Sequence, residues 1–484
     1  MLSLLALAIA QPTGLAITNL DNNETLRYPI ALVRGTGAEG DVEVENRDSK
    51  RVDAKNKVMS HNGEFKILVE LKEGRNRVNI KAGKRSKLIT LHYSPQTAKH
   101  SIKVIYMTGS DGGTDYMTQS ATDPQNYREK LDTAAKLMQT FTAETMRTNG
   151  LGRTTFKLDL DKEGKVNVLT LKLPQTTEWL NSRPDQEIWQ YTNHWLSQNG
   201  HYDNAKCMVV FNWPTYAGGK PRGHFALGGG HLGMFSSLSM HTWPNSIRDV
   251  ERAFTDSTPL DTTKVFDDSV GRSVFWGQAS TGMGATLHEL GHALGSPHSN
   301  DPRSVMSRGM DRFSRVFLVR EAPSKQSATP VEFKDDQIMR WDPWMASYFV
   351  STRWFAMDAQ DFVDGDPPRA YVDFVTGDVV AVASHGVKLI RLAKPTDPPS
   401  NTKFRIFDGL PKVVRIGREA LRSAVIAPDG GWISITDGQG QEYSVSEAHF
   451  KDAKVLPPYT AVEALNGMKL LVEAVGDHVE RWSP

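Results

Sequence analysis

The chain has 484 residues, with 39% hydrophobic and 23% charged, 39 glycines and 25 prolines; this is a globular composition, long enough at roughly 150 residues per domain for about three domains. Lys and Arg (57) nearly balance Asp and Glu (56), a net charge of +1, which leaves no long-range field to gather a polyanion and argues against nucleic acid as a partner. The single cysteine, Cys207, excludes an intramolecular disulfide and a thiolate zinc cluster, so any metal must be held by His and carboxylates.

In chain order, residues 2–10 form the one membrane-like run. It is too short for the roughly 20 residues a spanning helix needs, so no transmembrane anchor is expected. It fits the apolar core of a signal peptide over residues 1–16, with Ala8-Ile9-Ala10 or Gly14-Leu15-Ala16 as the cleavage pattern but no basic segment in front. The expected location is therefore secreted or periplasmic. Residues 17–97 read as short strands between turn residues. Phe65, Ile67, Val69 and Leu71 alternate with Lys66 and Glu70, which predicts a strand with one buried and one wet face in a β-sandwich.

The pattern changes near Ser101. Residues 102–107 predict a buried strand, and Asp123-Pro124 predicts a helix start. The stripe Tyr127, Leu131, Ala134, Met138 and Phe141 carries that helix to about Thr148, before Asn149-Gly150. Strands at 156–158 and 166–173, a helix at 187–196 and a buried strand at 207–211 follow, an order that predicts a mixed sheet covered by helices. Cys207 reads as a small hydrophobe in that last strand. Beyond Pro367-Pro368 the chain turns β-rich again, with strands at 379–382, 387–392, 404–407 and 432–435 and a Pro-rich loop at 395–400. The predicted division is 17–97, 100–362 and 368–484.

The chemistry is concentrated in His288-Glu289-Leu290-Gly291-His292-Ala293-Leu294-Gly295-Ser296-Pro297-His298. Residues four apart share a helix face, so His288 and His292 can present two imidazoles to one metal ion. Gly295 permits the left-handed turn that ends the helix and lets His298 return as a third nitrogen. Three ligands leave a fourth position open, the mark of a catalytic zinc. Glu289, beside a ligand yet not one itself, is placed to act as general base on the attacking water. With 14 His in the chain, the full eleven-residue pattern would arise by chance in on the order of one chain in ten thousand.

This motif resembles the long zinc motif of the metzincin metallopeptidases. The resemblance implies one catalytic Zn2+ on His288, His292 and His298, and a methionine turn beneath it at Met306, with Met310 as the other candidate. The stretch 205–320 also resembles a largely uncharacterised family of zinc metallopeptidases known mainly from fungi: Gly223 to Gly230, Thr242-Trp243-Pro244, Asp256 to Thr262, and Ser304-Val305-Met306 with Asp311-Arg312-Phe313. It implies a multidomain fold, an α/β metzincin-like protease domain flanked by all-β, sandwich-like modules. Ser307 stands where matrixins carry a tyrosine, so that helper has no counterpart; Arg308 or Arg312 could replace it or simply form ion pairs. His224, His231 and His241 lack the pairing of a structural zinc site. Residues 226–237 read either as a substrate-binding edge strand or as a flexible loop. A closing helix is expected at 335–349. No compact acidic loop supports calcium.

The expected activity is zinc-dependent endopeptidase cleavage of a protein or peptide substrate. Two alternatives differ in class: an adhesion protein whose β modules recognise protein or glycan around an inactive zinc site, and a zinc hydrolase of glycoconjugates. Retention of Glu289 argues against the first.

Overall fold

A computed structural model describes residues 14–360, 362, 366–372, 378–393, 403–417, 432–446 and 479–482. The apolar run at 2–10, the core of the expected signal peptide, lies outside the described residues, as does the loop at 395–400. Among the described residues no helix is long and apolar enough to cross a membrane.

Eight strands come first: β1 (Ala16–Ile17), β2 (Glu24–Leu26), β3 (Ile30–Thr36), β4 (Asp41–Asn46), β5 (Lys55–Met59), β6 (Phe65–Glu70), β7 (Gly74–Ala82) and β8 (Arg85–Tyr93). They form a three-stranded sheet, β1-β3-β6, and a five-stranded one, β2-β8-β7-β4-β5. Val33, Val42, Phe65, Ile67, Val78 and Leu91 meet in the core between them. The wet face expected for β6 does not exist. Every residue of β6 is buried, Lys66 and Glu70 included, because the outer side of the small sheet is covered in turn. Ile30, Leu32 and Leu68 belong to the core of the central region, and the Thr140 hydroxyl donates to the Ile30 carbonyl at 3.0 Å.

The central sheet contains β9 (Ser101–Thr108), β10 (Val168–Lys172), β11 (Ala205–Phe211), then, after the small hairpin of β12 (Thr215–Ala217) and β13 (Lys220–Arg222), β14 (Ala226–Gly229) and β15 (Leu232–Ser236). Its order is β10-β9-β11-β15-β14. Four strands are parallel, and β14 runs antiparallel on the edge, with Ala226 opposite Phe235 and Gly229 opposite Leu232. Strands β9 and β11 read as unbroken apolar runs because both their faces are covered. Helix α1 (Tyr127–Thr148) lies on one side, while α2 (Thr177–Asn181) and α3 (Asp185–Gln198) supply Leu180, Ile188 and Leu196 to the core on the other, where Cys207 and Val209 point. Helix α1 begins later than Asp123-Pro124 suggests. The Asp123 carboxylate is occupied by the Tyr116 hydroxyl (2.7 Å) and the Gln125 amide (3.0 Å), and Gln125 has φ +56°. Three residues therefore form a turn in front of the helix. The segment at 156–158 makes one bridge, Leu158 to Ile102, and no ladder.

The strands 369–372, 379–382, 413–416 and 479–482 form one four-stranded sheet, and 387–393, 403–406, 432–437 and 442–446 another. Both contribute to a third apolar core, through Val379, Val414, Ile390 and Ile435 among others.

After α4 (Val250–Thr255), helix α5 (Phe275–Ala293) fills the space below the central sheet. Almost all of its residues are buried, which needs close approach on several sides. Glycines supply it. A Cβ at Gly282 would overlap the Ser239 hydroxyl, one at Gly284 the Met310 carbonyl oxygen, and one at Gly291 the Met306 sulfur. At Gly284 the obstructing atom is backbone and cannot rotate away. Gly284→Ala is expected to destabilise the protein by about 1–3 kcal/mol through overpacking, even though Ala is favoured over Gly in a helix by about 1 kcal/mol. Urea unfolding measures this against Gly113→Ala, where nothing lies within 4 Å; an unchanged or raised midpoint for Gly284→Ala would refute the close contact.

Candidate metal and catalytic site

His288 and His292 occupy the last two turns of α5. The helix ends where Gly295 adopts φ +94°, and the amides of Leu294, Gly295 and Ser296 cap the carbonyls of Leu290, His292 and Gly291 at 2.9–3.0 Å. The left-handed residue turns the chain back beneath the helix, so that His298 faces the other two rings. His292 Nε2 lies 3.1 Å from His288 Nε2 and 3.2 Å from His298 Nε2. Among the described residues this is the one cluster of three His, Cys, Asp or Glu groups able to hold a metal ion.

The tautomers follow from the second nitrogen. His288 Nδ1 donates to the Val305 carbonyl and His292 Nδ1 to the Ser296 carbonyl, each at 2.8 Å. Each neutral ring thus carries its proton on Nδ1 and turns an Nε2 lone pair to the common point. Burial lowers the pKa of His288 to about 4 and that of His292 below its ordinary value, which keeps both rings neutral. Three nitrogen donors so close would repel one another without a shared cation. Nitrogens about 2.0–2.1 Å from a tetrahedral ion stand roughly 3.3 Å apart, so the spacing fits such an ion.

Glu289 is 6% exposed, and among the described residues no protein donor forms a hydrogen bond or ion pair with its carboxylate. Burial raises its pKa to about 8; a neighbouring dication acts in the opposite sense. Gly228 of β14 and Gly233 of β15 lie against the Glu289 backbone, where a Cβ on either would overlap it. Gly228 and Gly233 thus accommodate the helix, and of the stretch 226–237, residues 226–236 form the β14–β15 hairpin, an edge strand and its neighbour and not a loop.

Below the rings, Met306 is fully buried with its sulfur against Gly291, beside Trp341. Ser299 N donates to Met306 O at 2.9 Å. The Ser299 hydroxyl donates to Asp342 Oδ1 at 3.0 Å, and the Ser304 hydroxyl donates to Asp342 Oδ2. One buried carboxylate therefore joins the loop of the third histidine to the methionine turn. Asp342 also precedes α6 (Pro343–Phe349), and here the expected helix at 335–349 requires correction. Residues 335–337 make one 3-10 turn, Arg340 pairs with Ser304 in extended conformation, and Pro343 at the first helical position starts α6 only there. Sequence reasoning missed Asp342, although Asp342-Pro343 is itself a helix-start signal.

Lys206 of β11 was also not singled out. Its ammonium donates to the Ala293 carbonyl at the end of α5 and to Gly230 O (2.7 Å), and lies 4.8 Å from the Trp354 ring centroid. A cation is favoured at a helix C-terminus, so Lys206 fastens the zinc-motif end of the helix to the sheet. Arg308 forms an ion pair with Asp311 at 2.7 Å. The other three histidines do not converge: His224 meets Ser236 and Asp268, His231 bonds the Ala205 carbonyl, and His241 is buried against Phe275. Cys207 is fully buried, its thiol pushed up to about 12.

Removing the shared carboxylate, in Asp342→Ala, leaves the hydroxyls of Ser299 and Ser304 without their acceptor. Metal affinity is expected to fall about 10–100-fold, the effect of losing outer partners of ligands, with the fold retained. Competition against a chromophoric zinc chelator gives the affinity, and circular dichroism the fold.

A family model described as "Putative peptidase family" matches residues 14–379. A protein of Schizosaccharomyces pombe named "Putative zinc metalloproteinase" is 27% identical over 361 residues, covering 68% of this chain and 57% of that protein. A second of the same description, from Saccharomyces cerevisiae, is 27% identical over 305 residues, covering 54% of this chain and 43% of its own length. The chain thus spans little more than half the length of the first relative and less than half of the second. Among solved structures, wild-type OgpA from Akkermansia muciniphila superposes with a TM-score of 0.45 at 15% identity, covering 73% of this chain and 94% of that chain. The family match extends over most of the described residues and contains the three histidines, Glu289 and the methionine turn: the chain belongs to this peptidase family.

Proposed function

We propose that the protein is a zinc-dependent endopeptidase with a metzincin-like catalytic domain. The observation that carries the reading is the convergence of three Nε2 atoms beside a buried carboxylate that no protein group engages among the described residues. The zinc named in the fungal relatives fits this donor set, with His288, His292 and His298 as its ligands. Bound there, zinc supplies Lewis-acid polarisation of a scissile carbonyl and of the attacking water.

The remaining steps belong to the chain. Glu289 takes the proton of the attacking water and returns it to the leaving amine, which completes one hydrolysis without net consumption of a proton. The Nδ1 bonds to Val305 and Ser296 hold the two helix histidines in orientation, and Met306 gives the site an apolar floor. The edge strand β14 offers its outer backbone to an extended substrate, so a peptide can add as a further strand. With Arg308 paired to Asp311 and Ser307 after the methionine, no tyrosine of the methionine turn takes part.

The division 17–97, 100–362 and 368–484 is part of this reading, supported by the separate sheets of each part; so are a protein or peptide substrate and a secreted or periplasmic location.

Two substitutions separate metal binding from catalysis. His292→Ala is expected to lose the single zinc that the wild-type chain retains, by elemental analysis. Glu289→Gln keeps the shape but cannot accept a proton, so zinc content persists while peptide cleavage falls by about 10² or more. Cleavage at the wild-type rate by zinc-loaded Glu289→Gln would remove Glu289 from the mechanism.

The buried thiol makes a further expectation. Cys207→Ser should keep the cleavage rate per folded molecule; loss of activity in a folded variant, with thiol-reagent inhibition of the wild type, would contradict the zinc mechanism.

A further inference from the structure

Lys66 poses a problem of charge. It sits in the middle of β6 at 7% exposure, and its ammonium donates to one protein acceptor, the Arg315 carbonyl at 2.7 Å, beside the Phe333 ring at 5.3 Å. No carboxylate lies within ion-pair distance of it among the described residues. A buried ammonium with three donors and one acceptor is unfavourable unless a counter-charge is supplied, and burial pulls its pKa down to about 7.

Lys66 lines a recess of about 560 Å³ between the N-terminal strands and α4. Its lining contains five Lys and Arg side chains, Lys57, Lys66, Arg248, Arg252 and Arg320, together with His61, against one acid, Glu251. Lys57 is drawn to Asp41 (2.5 Å), Arg252 to Asp249 (2.9 Å) and His61 to Glu332. Glu251 accepts from the Met59 amide at 2.8 Å. Lys66, Arg248 and Arg320 have no carboxylate partner among the described residues. They come from three elements: β6, the 3-10 turn Ile247–Asp249 and the short strand Arg320–Glu321. Such an excess is not a general property of the chain, whose net charge is +1. Phe317 and Leu318, both buried, add an apolar wall, which strengthens an ionic contact by excluding water.

We propose that this recess is a binding site for a tetrahedral oxyanion of the sulfate or phosphate class, held by Lys66, Arg248 and Arg320. A doubly charged anion with several acceptor oxygens can meet three donors arriving from different directions, and it supplies the counter-charge Lys66 lacks. The site lies apart from the zinc histidines and does not depend on the proposed catalysis.

The test is titration of the full chain with sodium sulfate and with inorganic phosphate, at constant ionic strength maintained with sodium chloride, followed by calorimetry and thermal melting. Saturable binding with a matching rise in Tm is expected, weakened about tenfold or more in Lys66→Met, the scale of losing a charged hydrogen bond. Arg320→Gln, a change at a partly exposed position, is expected to weaken binding as well, and serves if Lys66→Met fails to fold. Sodium acetate as a third ligand separates a tetrahedral dianion from any carboxylate. Absence of saturable sulfate or phosphate binding would overturn the proposal. So would equal binding of acetate, or affinity unchanged in a folded Lys66→Met or Arg320→Gln.

Discussion

The site depends on two backbone carbonyls, those of Val305 and Ser296, that accept the Nδ1 protons of His288 and His292. A neutral imidazole has one proton to give. Spending it on a fixed carbonyl both sets the ring angle and leaves Nε2 as a lone pair, so ligand geometry is decided by where the chain runs after α5. That path is in turn fixed at three places: Gly295, whose φ of +94° reverses the chain; Asp342, which holds Ser299 and Ser304 together; and Lys206, which holds the end of the helix. None of the three residues is itself a metal ligand. Each nonetheless limits how far one nitrogen can drift from the other two.

The same constraint explains the helix. Sheet and loops pack against α5, which presents two histidines at its last turns, at backbone distance: at Gly228 and Gly233 across the interface and at Gly282, Gly284 and Gly291 on the helix itself. Gly and Thr are poor helix formers, and α5 contains four Gly and two Thr. Local propensity therefore contributes little, and tertiary packing holds the helix. The same contacts hold the helix and place His288 and His292.

What was legible in the sequence was what local spacing encodes. The i,i+4 histidines, the terminating Gly295, the stripe of α1 and the apolar runs of β9 and β11 all declare themselves within a few residues. The misread places share one cause, a partner distant in sequence. The alternation in β6 marks two faces correctly, but no local pattern shows that the face of Lys66 and Leu68 is covered by the central core and by the segment around Arg315. Asp123 has the chemistry of a cap, yet Tyr116 and Gln125 claim its carboxylate first. Asp342 looks like a helix cap and is also the joint between the loop after His298 and the turn before Met306, a role visible only when residues 43 and 38 positions apart meet.

The C-terminal strands extend this logic past the stretch that the family model covers. Arg391 is 5% exposed, lies against the rings of Trp344, Tyr348 and Trp432 at 4.7–5.8 Å, and pairs with Glu442 at 2.5 Å. Trp344 and Tyr348 belong to α6, and the Tyr348 ring packs against Gly295, between His292 and His298 in the chain. A guanidinium enclosed by three rings and one carboxylate cannot be removed without exposing all of them. The β-rich region that follows residue 379 is thus connected, through Arg391 and Tyr348, to the turn that brings the third histidine to the other two. A segment outside the peptidase match thus reaches the turn at Gly295 through Arg391 and Tyr348, on the side of the histidines away from Gly228 and Gly233, which lie against the Glu289 backbone.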